Sequence, residues 1–330
     1  MNTKWLVETN GDPLGAIQYI FAEAWERFGL DSMVVPTNGN GSPHLLHDPM
    51  DLHRVNPFKP LMTYNAAKFL PQILDEQPEA RVGALLRPCE VRALEAKSNR
   101  EGISSERMLT ICVDCLGTYS PEDYQWRAKR KGSPESLDGE TLHFARQGGI
   151  AVYRFRSACQ ACRTPIGDGA DINIGVIGLP VRQKILVDVP DPATAETLGV
   201  ESSETTADQP FFDQREHVAT RLLQRGTHTR QRLVDNLESI LPRDLDALIN
   251  QFERCGECRS CFEVCPLCAA DYPTKDSAGL YEREQVMQWM ISCAGCGMCE
   301  QACPNHLPLV TIFTNIRQQL IDPMETDLIN

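Results

Sequence analysis

The stretch CGECRSCFEVCP, residues 255–266, is answered further along the chain by CAGCGMCEQACP, residues 293–304. Both read C-x-x-C-x-x-C-x-x-x-C-P. Three cysteines at i, i+3 and i+6 on one tight loop can each meet a different iron of a single 4Fe-4S cubane. The cysteine before proline opens a helix, points away and serves the other cluster of the pair. That rule assigns Cys255, Cys258, Cys261 and Cys303 to one cluster, and Cys293, Cys296, Cys299 and Cys265 to a second. Structural zinc is the competing chemistry. Its tetrahedral sites draw on two separated pairs of ligands, which explains poorly four cysteines at this spacing, present twice and each time followed by proline. Cys268 is left over and reads as a buried free thiol.

Outside the clamps, the neighbouring sequence is helical in pattern. In GLYEREQVMQWMISC, residues 279–293, Leu280, Val286, Trp289 and Met290 partly keep helical spacing. Residues 211–252 read as two or three helices. Leu233, Leu237 and Ile240 mark one, and Leu245, Leu248, Ile249 and Phe252 mark another, with Pro242 at its start. VPDPATAETLGVESSETTADQP, residues 189–210, is polar and proline-containing and reads as a linker. The expected organisation is therefore an N-terminal domain over 1–188, a linker over 189–210, and a mostly helical two-cluster domain over 211–330.

The N-terminal part alternates strands and helices. A short strand at 5–7 leads into TNGDPLGAIQYIFAEAWERFG, residues 9–29. There Asp12 can cap a helix, Pro13 suits its first position and Gly29 ends it. Leu14, Ile17, Phe21, Ala24, Trp25 and Phe28 form its apolar face. Further strands are expected at 32–35, 81–86, 108–113 and 172–177, so the fold class is an α/β sheet domain followed by helices. No Walker motif is present, and no G-x-G-x-x-G follows a strand, so the sequence does not signal a dinucleotide fold of the usual kind. Five more cysteines lie in this part, as RPCE (Cys89), CVDC (Cys112, Cys115) and CQAC (Cys159, Cys162). Each group follows or ends a strand-like segment, so the fold could gather them at one sheet edge. Four would suffice for a cubane or for one zinc, and separate structural thiols are the third reading. Spacing alone leaves all three open.

A formal charge of −13 opposes nucleic acid as a partner, because phosphate binding needs clustered Lys and Arg. The basic run RAKRKG, residues 127–132, is short and reads as a solvated loop. No apolar run approaches the ~18 residues of a membrane helix, so no membrane span is expected. The opening MNTKWLVETNGDP has neither a basic nor an apolar signal region, and a cytoplasmic location is expected. Fourteen cysteines in such a compartment argue for metal or cluster chemistry over disulfides.

Taken in order, these residues resemble the beta subunits of coenzyme F-420-reducing hydrogenase and of formate dehydrogenase over about residues 5–185. ETNGDPLGAIQYIFAEAWERFG supplies the strand, glycine turn and amphipathic helix, and FKPLMTYNA (58–66) is similar to the family's K-Y-T-x-x-P-N stretch. ALLRPCEVRAL carries the P-C motif, and ICVDCLGTYSP the single cysteine at Cys115. CQACRTPIGDGADINIGVIG combines C-x-x-C with A-D-[IV]-x-x-G-x-x-G, the most specific match. RPCEVRAL also resembles sulfhydrogenase beta subunits, which carry a C-terminal dicluster domain. The separation of the two clamps resembles helical ferredoxin domains of heterodisulfide reductase and succinate dehydrogenase subunits.

The resemblance implies FAD and a third 4Fe-4S cluster in the N-terminal part. The cluster would be held by Cys89, Cys115, Cys159 and Cys162, and Cys112 has no counterpart. FAD would be approached by Asn10, Gly11, Lys59, Tyr64, Asn65, Asn173, Ile174, Gly175 and Gly178, with Lys59 or Arg87 beside the ring. The implied function is that of a flavin- and iron–sulfur-containing electron-transfer (beta) subunit of a multisubunit oxidoreductase. It would convert between hydride chemistry at FAD and one-electron transfer through clusters. The expected partner is a catalytic formate dehydrogenase or hydrogenase subunit, with heterodisulfide reductase-type subunits next, and the carrier coenzyme F-420, NAD(P) or ferredoxin. A stand-alone ferredoxin-dependent flavin reductase and a flavin-free wire are the competing readings. No residue of the sequence is singled out as catalytic.

Overall fold

The computed structural model describes residues 3–104, 106–148, 155–200, 208–238, 247, 258–268, 274, 277–279 and 282–326. Strand β1 (Thr3–Glu8) leads into helix α1 (Pro13–Arg27), then β2 (Ser32–Pro36) and β3 (Pro43–Leu46). Helix α2 (Leu70–Glu76), β4 (Val82–Leu86), α3 (Pro88–Glu101) and β5 (Met108–Val113) follow. After α4 (Pro121–Lys131), α5 (Pro134–His143) and the short α6 (Ser157–Gln160) come β6 (Ile172–Gly175), β7 (Lys184–Val189), α7 (Pro192–Leu198) and the long α8 (Gln209–Glu238).

The seven strands make one mixed sheet in the order β1-β7-β6-β5-β4-β2-β3. Its centre, β2, β4, β5 and β6, is parallel, and antiparallel pairs close both sides. The central strands are mostly apolar, all five residues of β4 being buried, because a parallel sheet is covered on both faces. Ile17, Phe21 and Trp25 of α1 pack on one face with Met33, Ile111 and Ile174. Leu70, Leu74, Val91 and Leu94 cover the other with Val34, Leu86 and Cys112. Side chains alternate along β5, so Ile111 and Val113 face α1 while Cys112 faces α3.

Helix α1 begins where its residues dictate. The Asp12 carboxylate accepts from Gly15 N at 2.9 Å and Pro13 fills the first position. Elsewhere the structure departs from the sequence reading. The strand expected to run to 177 stops at Gly175, because the Val176 and Ile177 amides donate to the Asp114 carboxylate, each at 2.8 Å, instead of to a neighbouring strand. The segment read as a linker holds α7, whose Ala195 and Leu198 are buried in the core beside α1. Asp191 caps it by accepting from Thr194 N at 2.9 Å, Pro192 opens it and Gly199 closes it at φ 72°. The polar, proline-bearing composition is thus that of a capped short helix. Residues 201–207 lie outside the described set.

Where 211–252 read as two or three helices, α8 runs unbroken for 30 residues and includes Leu233 and Leu237. Ile240, Pro242, Leu245, Leu248, Ile249 and Phe252 lie outside the described residues. Beyond α8 the described elements are the helices Ser260–Val264, Arg283–Ile291, Met298–Ala302 and Leu309–Thr326. They enclose Phe262, Val286, Trp289, Met290, Phe313 and Ile316. Trp289 meets Phe313 edge-on, with ring centroids 4.7 Å apart. Among the described residues no helix is long and apolar enough to cross a membrane.

Candidate metal centre

Two adjacent parallel strands deliver the first two cysteines. Strand β4 ends at Leu86, and after Arg87 the proline that opens α3 is followed at once by Cys89. Its neighbour β5 ends at Val113, and Cys115 follows Asp114. Open α/β sheets place ligands beyond the carboxyl ends of such strands. Cys159 lies in α6 and Cys162 just after it, and these four cysteines line one cavity with Met62, Arg87, Thr118, Phe155 and Arg156. The cavity measures about 60 Å³, against the roughly 10–15 Å³ that a single water-sized occupant needs. Cys112 is absent from its lining and sits in the core on the α3 face.

The loops carrying these thiols are fixed by buried polar contacts. Asp114, 1% exposed, accepts from Gly167 N (2.7 Å), Val176 N and Ile177 N. It also takes both terminal nitrogens of Arg215 of α8, at 2.6 and 3.1 Å. The Cys115 amide donates to Pro165 O at 2.8 Å. Thr118 Oγ1 lies 3.2 Å from Cys159 Sγ and also accepts from Arg156 Nε at 2.7 Å. Glu90 accepts from the Arg87 and Ala66 amides, each at 2.9 Å, tying α3 to the 58–66 loop.

Burial governs the chemistry of these sulfurs. It pushes the Cys115 thiol up to about 12, Cys159 adding to the shift and Arg87 opposing it. Burial, then Glu90, raises Cys89 well above the ordinary thiol range, and burial raises Cys162 against the pull of Arg92. Alone, such thiols keep their protons. Ionising them together requires a strong positive centre in their midst, and binding it expels the protons.

From their second cysteine onward the two clamps share one backbone path. Arg259 (φ 51°) and Gly297 (φ 74°), each directly after the second cysteine, are left-handed and precede five-residue helices. Each helix ends on an extended cysteine, Cys265 (φ −71°, ψ 128°) and Cys303 (φ −70°, ψ 117°). These two cysteines therefore close a helix and do not open one, because the following proline excludes the helical conformation from the residue before it. Cys265 reaches across to the second loop. Burial and then Cys296 push Cys293 up to about 12, burial and then Cys265 raise Cys296, and burial and then Cys293 raise Cys299, with Cys265 a neighbour of all three. Cys265 itself is held down to about 7 by a hydrogen bond from Cys268, with the Leu267 and Cys268 amides and Trp289 contributing. Cys268 is fully buried against it. In the other set Cys258 is exposed, Cys261 is half-buried and Cys303 is buried, and Cys255 lies outside the described residues.

The two cysteine regions meet. Cys296 lines the same cavity as Cys89, and Gly297 is so close to α6 that a Cβ there would overlap Ala158 Cβ. Arg92 donates to Ala294 O (3.4 Å) and Thr164 O (3.3 Å). Arg156 donates to Gln301 Oε1 (3.3 Å) and has Cys159, Cys89 and Cys296 as charge neighbours. Lys68 donates to Glu263 O. Among the described residues no group of three or more His, Cys, Asp or Glu converges on a point where one metal ion would sit.

Of the ten residues implied for the flavin, only Arg87 lines the cysteine cavity. Asn10 (φ 48°) and Gly11 (φ 89°) form the turn before α1, with Gly11 N bonded to Arg182 O at 2.9 Å. Lys59 is buried, its Nζ 3.2 Å from Asn38 O and 5.0 Å from the Tyr124 ring centroid. Near it Asp138, pushed up to about 6 by burial, accepts from Tyr124 and Asn56. Tyr64 stacks on Phe69 with centroids 4.4 Å apart. Asn173 is spent on Ala170 N and O, and Ile174 is core. Gly175 and Gly178 lie beneath α8, where an added Cβ would fall 2.6 Å from Arg215 Cζ and 2.7 Å from Arg215 Cα. These glycines therefore receive the helix in this conformation and leave no open cradle for a cofactor. No known family model matches the chain.

Proposed function

We propose that the chain is an iron–sulfur electron-transfer subunit of a larger oxidoreductase, with three four-iron clusters and, on the order of its motifs alone and against the scattered placement of the residues implied for it, a flavin. One observation carries the cluster part: Cys89, Cys115, Cys159 and Cys162 surround a single cavity whose wall also includes Cys296 of the second clamp. Cys89, Cys115, Cys159 and Cys162 would hold one cluster, Cys265, Cys293, Cys296 and Cys299 a second, and Cys258, Cys261 and Cys303 with Cys255 a third. Bound there, clusters carry single electrons, while FAD exchanges the electron pair of a hydride. The protein's part is to bury the thiols, pair two of the sets across a shared wall, and surround that wall with Arg87, Arg92 and Arg156.

The flavin, the hydride carrier (coenzyme F-420, NAD(P)H or ferredoxin in its place) and the catalytic partner rest on the order of the motifs. A formate dehydrogenase or hydrogenase subunit is the partner that order favours. Mixing the anaerobic oxidised protein with reduced F-420, NADPH, NADH or reduced ferredoxin tests this. One carrier should bleach the flavin and cluster absorbances together, without any partner subunit. Bleaching by dithionite but by none of the four would remove the converter role.

A further inference from the structure

We propose that the cleft between the Ala145–Gln147 turn and α8 binds the phosphate groups of a small soluble redox carrier, held by Arg146, Arg221 and Arg225. That the anion belongs to a carrier rests on the chain being an electron-transfer subunit, whereas the anion site rests on the cleft alone.

The cleft measures about 650 Å³, within the roughly 300–1,000 Å³ of small-molecule sites. Both of its walls are fixed. Ala145 is core, and its carbonyl accepts from the Gly178 and Gly148 amides at 3.0 and 2.9 Å. Helix α8 is held by the Arg215–Asp114 pair. Gly148 (φ 82°) ends the turn against the helix, where an added Cβ would lie 2.6 Å from Leu222 Cδ1. Arg146 and Gln147 line one side of the cleft. Gln214, Val218, Arg221, Leu222 and Arg225, spaced three and four residues apart along one helix face, line the other.

No Asp or Glu lines the cleft among the described residues, although acidic residues outnumber basic ones 45 to 32 in the chain. The Arg146 and Arg221 guanidiniums make no ion pair or hydrogen bond among the described residues, and Arg225 donates to Gly148 O at 3.4 Å. Guanidiniums gathered without a counter-ion repel one another, and a phosphate relieves that repulsion while accepting from each. The planar fork of arginine matches phosphate oxygens. Apart from Val218 and Leu222 the lining is polar, which suits the charged end of a carrier and not its ring. Leu222 and Gly148 also line the cysteine cavity. A carrier anchored here is therefore held against the wall of that cavity.

Arg146→Gln, Arg221→Gln and the double variant change exposed side chains that hold no other part of the fold, so each full chain should purify with wild-type iron content. Inorganic pyrophosphate is the probe, titrated anaerobically by calorimetry at low ionic strength. Wild type should bind it, and each substitution should weaken binding about tenfold, the loss expected for one charge-assisted contact. Pyrophosphate should also slow, competitively, the bleaching of wild type by its carrier. Undetectable binding to wild type, or unchanged affinity in the double variant, overturns the site. Binding that leaves the carrier's rate unchanged overturns the assignment of the carrier to it. A chain that binds pyrophosphate through these arginines but is reduced by no carrier removes the converter role and leaves the anion site standing.

Discussion

Asp114→Ala is expected to lower the unfolding free energy by about 3–5 kcal/mol and to remove the iron proposed for the N-terminal site. The magnitude is that of breaking a buried ion pair from one side. Asp114 is almost fully buried and neutralises Arg215, which is 12% exposed at the side chain. Without it the guanidinium keeps the carbonyl of Ile177, 2.9 Å away, and the more distant charge of Asp188, and the amides of Gly167, Val176 and Ile177 lose their acceptor. Those amides belong to the loops that position the thiols: Cys115 precedes α4 and is tied to Pro165, one residue from Ile166 and two from Gly167. Asp114→Asn keeps the shape and loses the charge, so a smaller loss is expected. Urea unfolding with iron analysis of both variants checks the argument. A loss below about 1 kcal/mol in the alanine variant, with iron intact, would show that α8 is held by its other contacts.

Gly297→Ala should cost about 2–4 kcal/mol, combining a left-handed non-glycine residue with an overpacked contact. The clamp itself tolerates a side chain there, because Arg259 occupies the equivalent position of the first clamp at φ 51°. What forbids it at Gly297 is the neighbour: the new Cβ would occupy the place of Ala158 Cβ in α6. The substitution therefore acts as a wedge between the two cysteine regions. Ala158→Gly removes the opposing atom, so the double variant should recover a large part of the loss, a coupling expected only between residues in contact. Unfolding midpoints of the two single variants and the double variant decide it. Additive losses would mean that the strain lies in the backbone of the clamp alone.

How much of this was legible in the sequence depended on how local each signal was. The clamp spacing and the α1 cap are written in consecutive residues, and the strand read at 108–113 is found as Met108–Val113. Strands β3 and β7 passed unnoticed because antiparallel strands are recognised by their partners, Met33 for Leu46 and Thr3 for Val189. Helix α7 was hidden by a composition that suits both a linker and a cap. The contacts that join the cysteine regions are the least local. Asp114 and Arg215 are 101 residues apart in the chain, Arg156 and Gln301 145 apart, and no periodicity reveals such pairs. The glycines at 175 and 178 show the same limit from the other side: their spacing invites a cofactor, and the fold sets Arg215 against them.

Iron, zinc and flavin per chain after anaerobic purification test the central claim most directly. The account predicts about twelve irons, four for each of three cubanes, with one FAD and no zinc. About eight irons with one zinc would contradict it, making the cavity of Cys89, Cys115, Cys159 and Cys162 a structural site and leaving the clamps as the only redox centres.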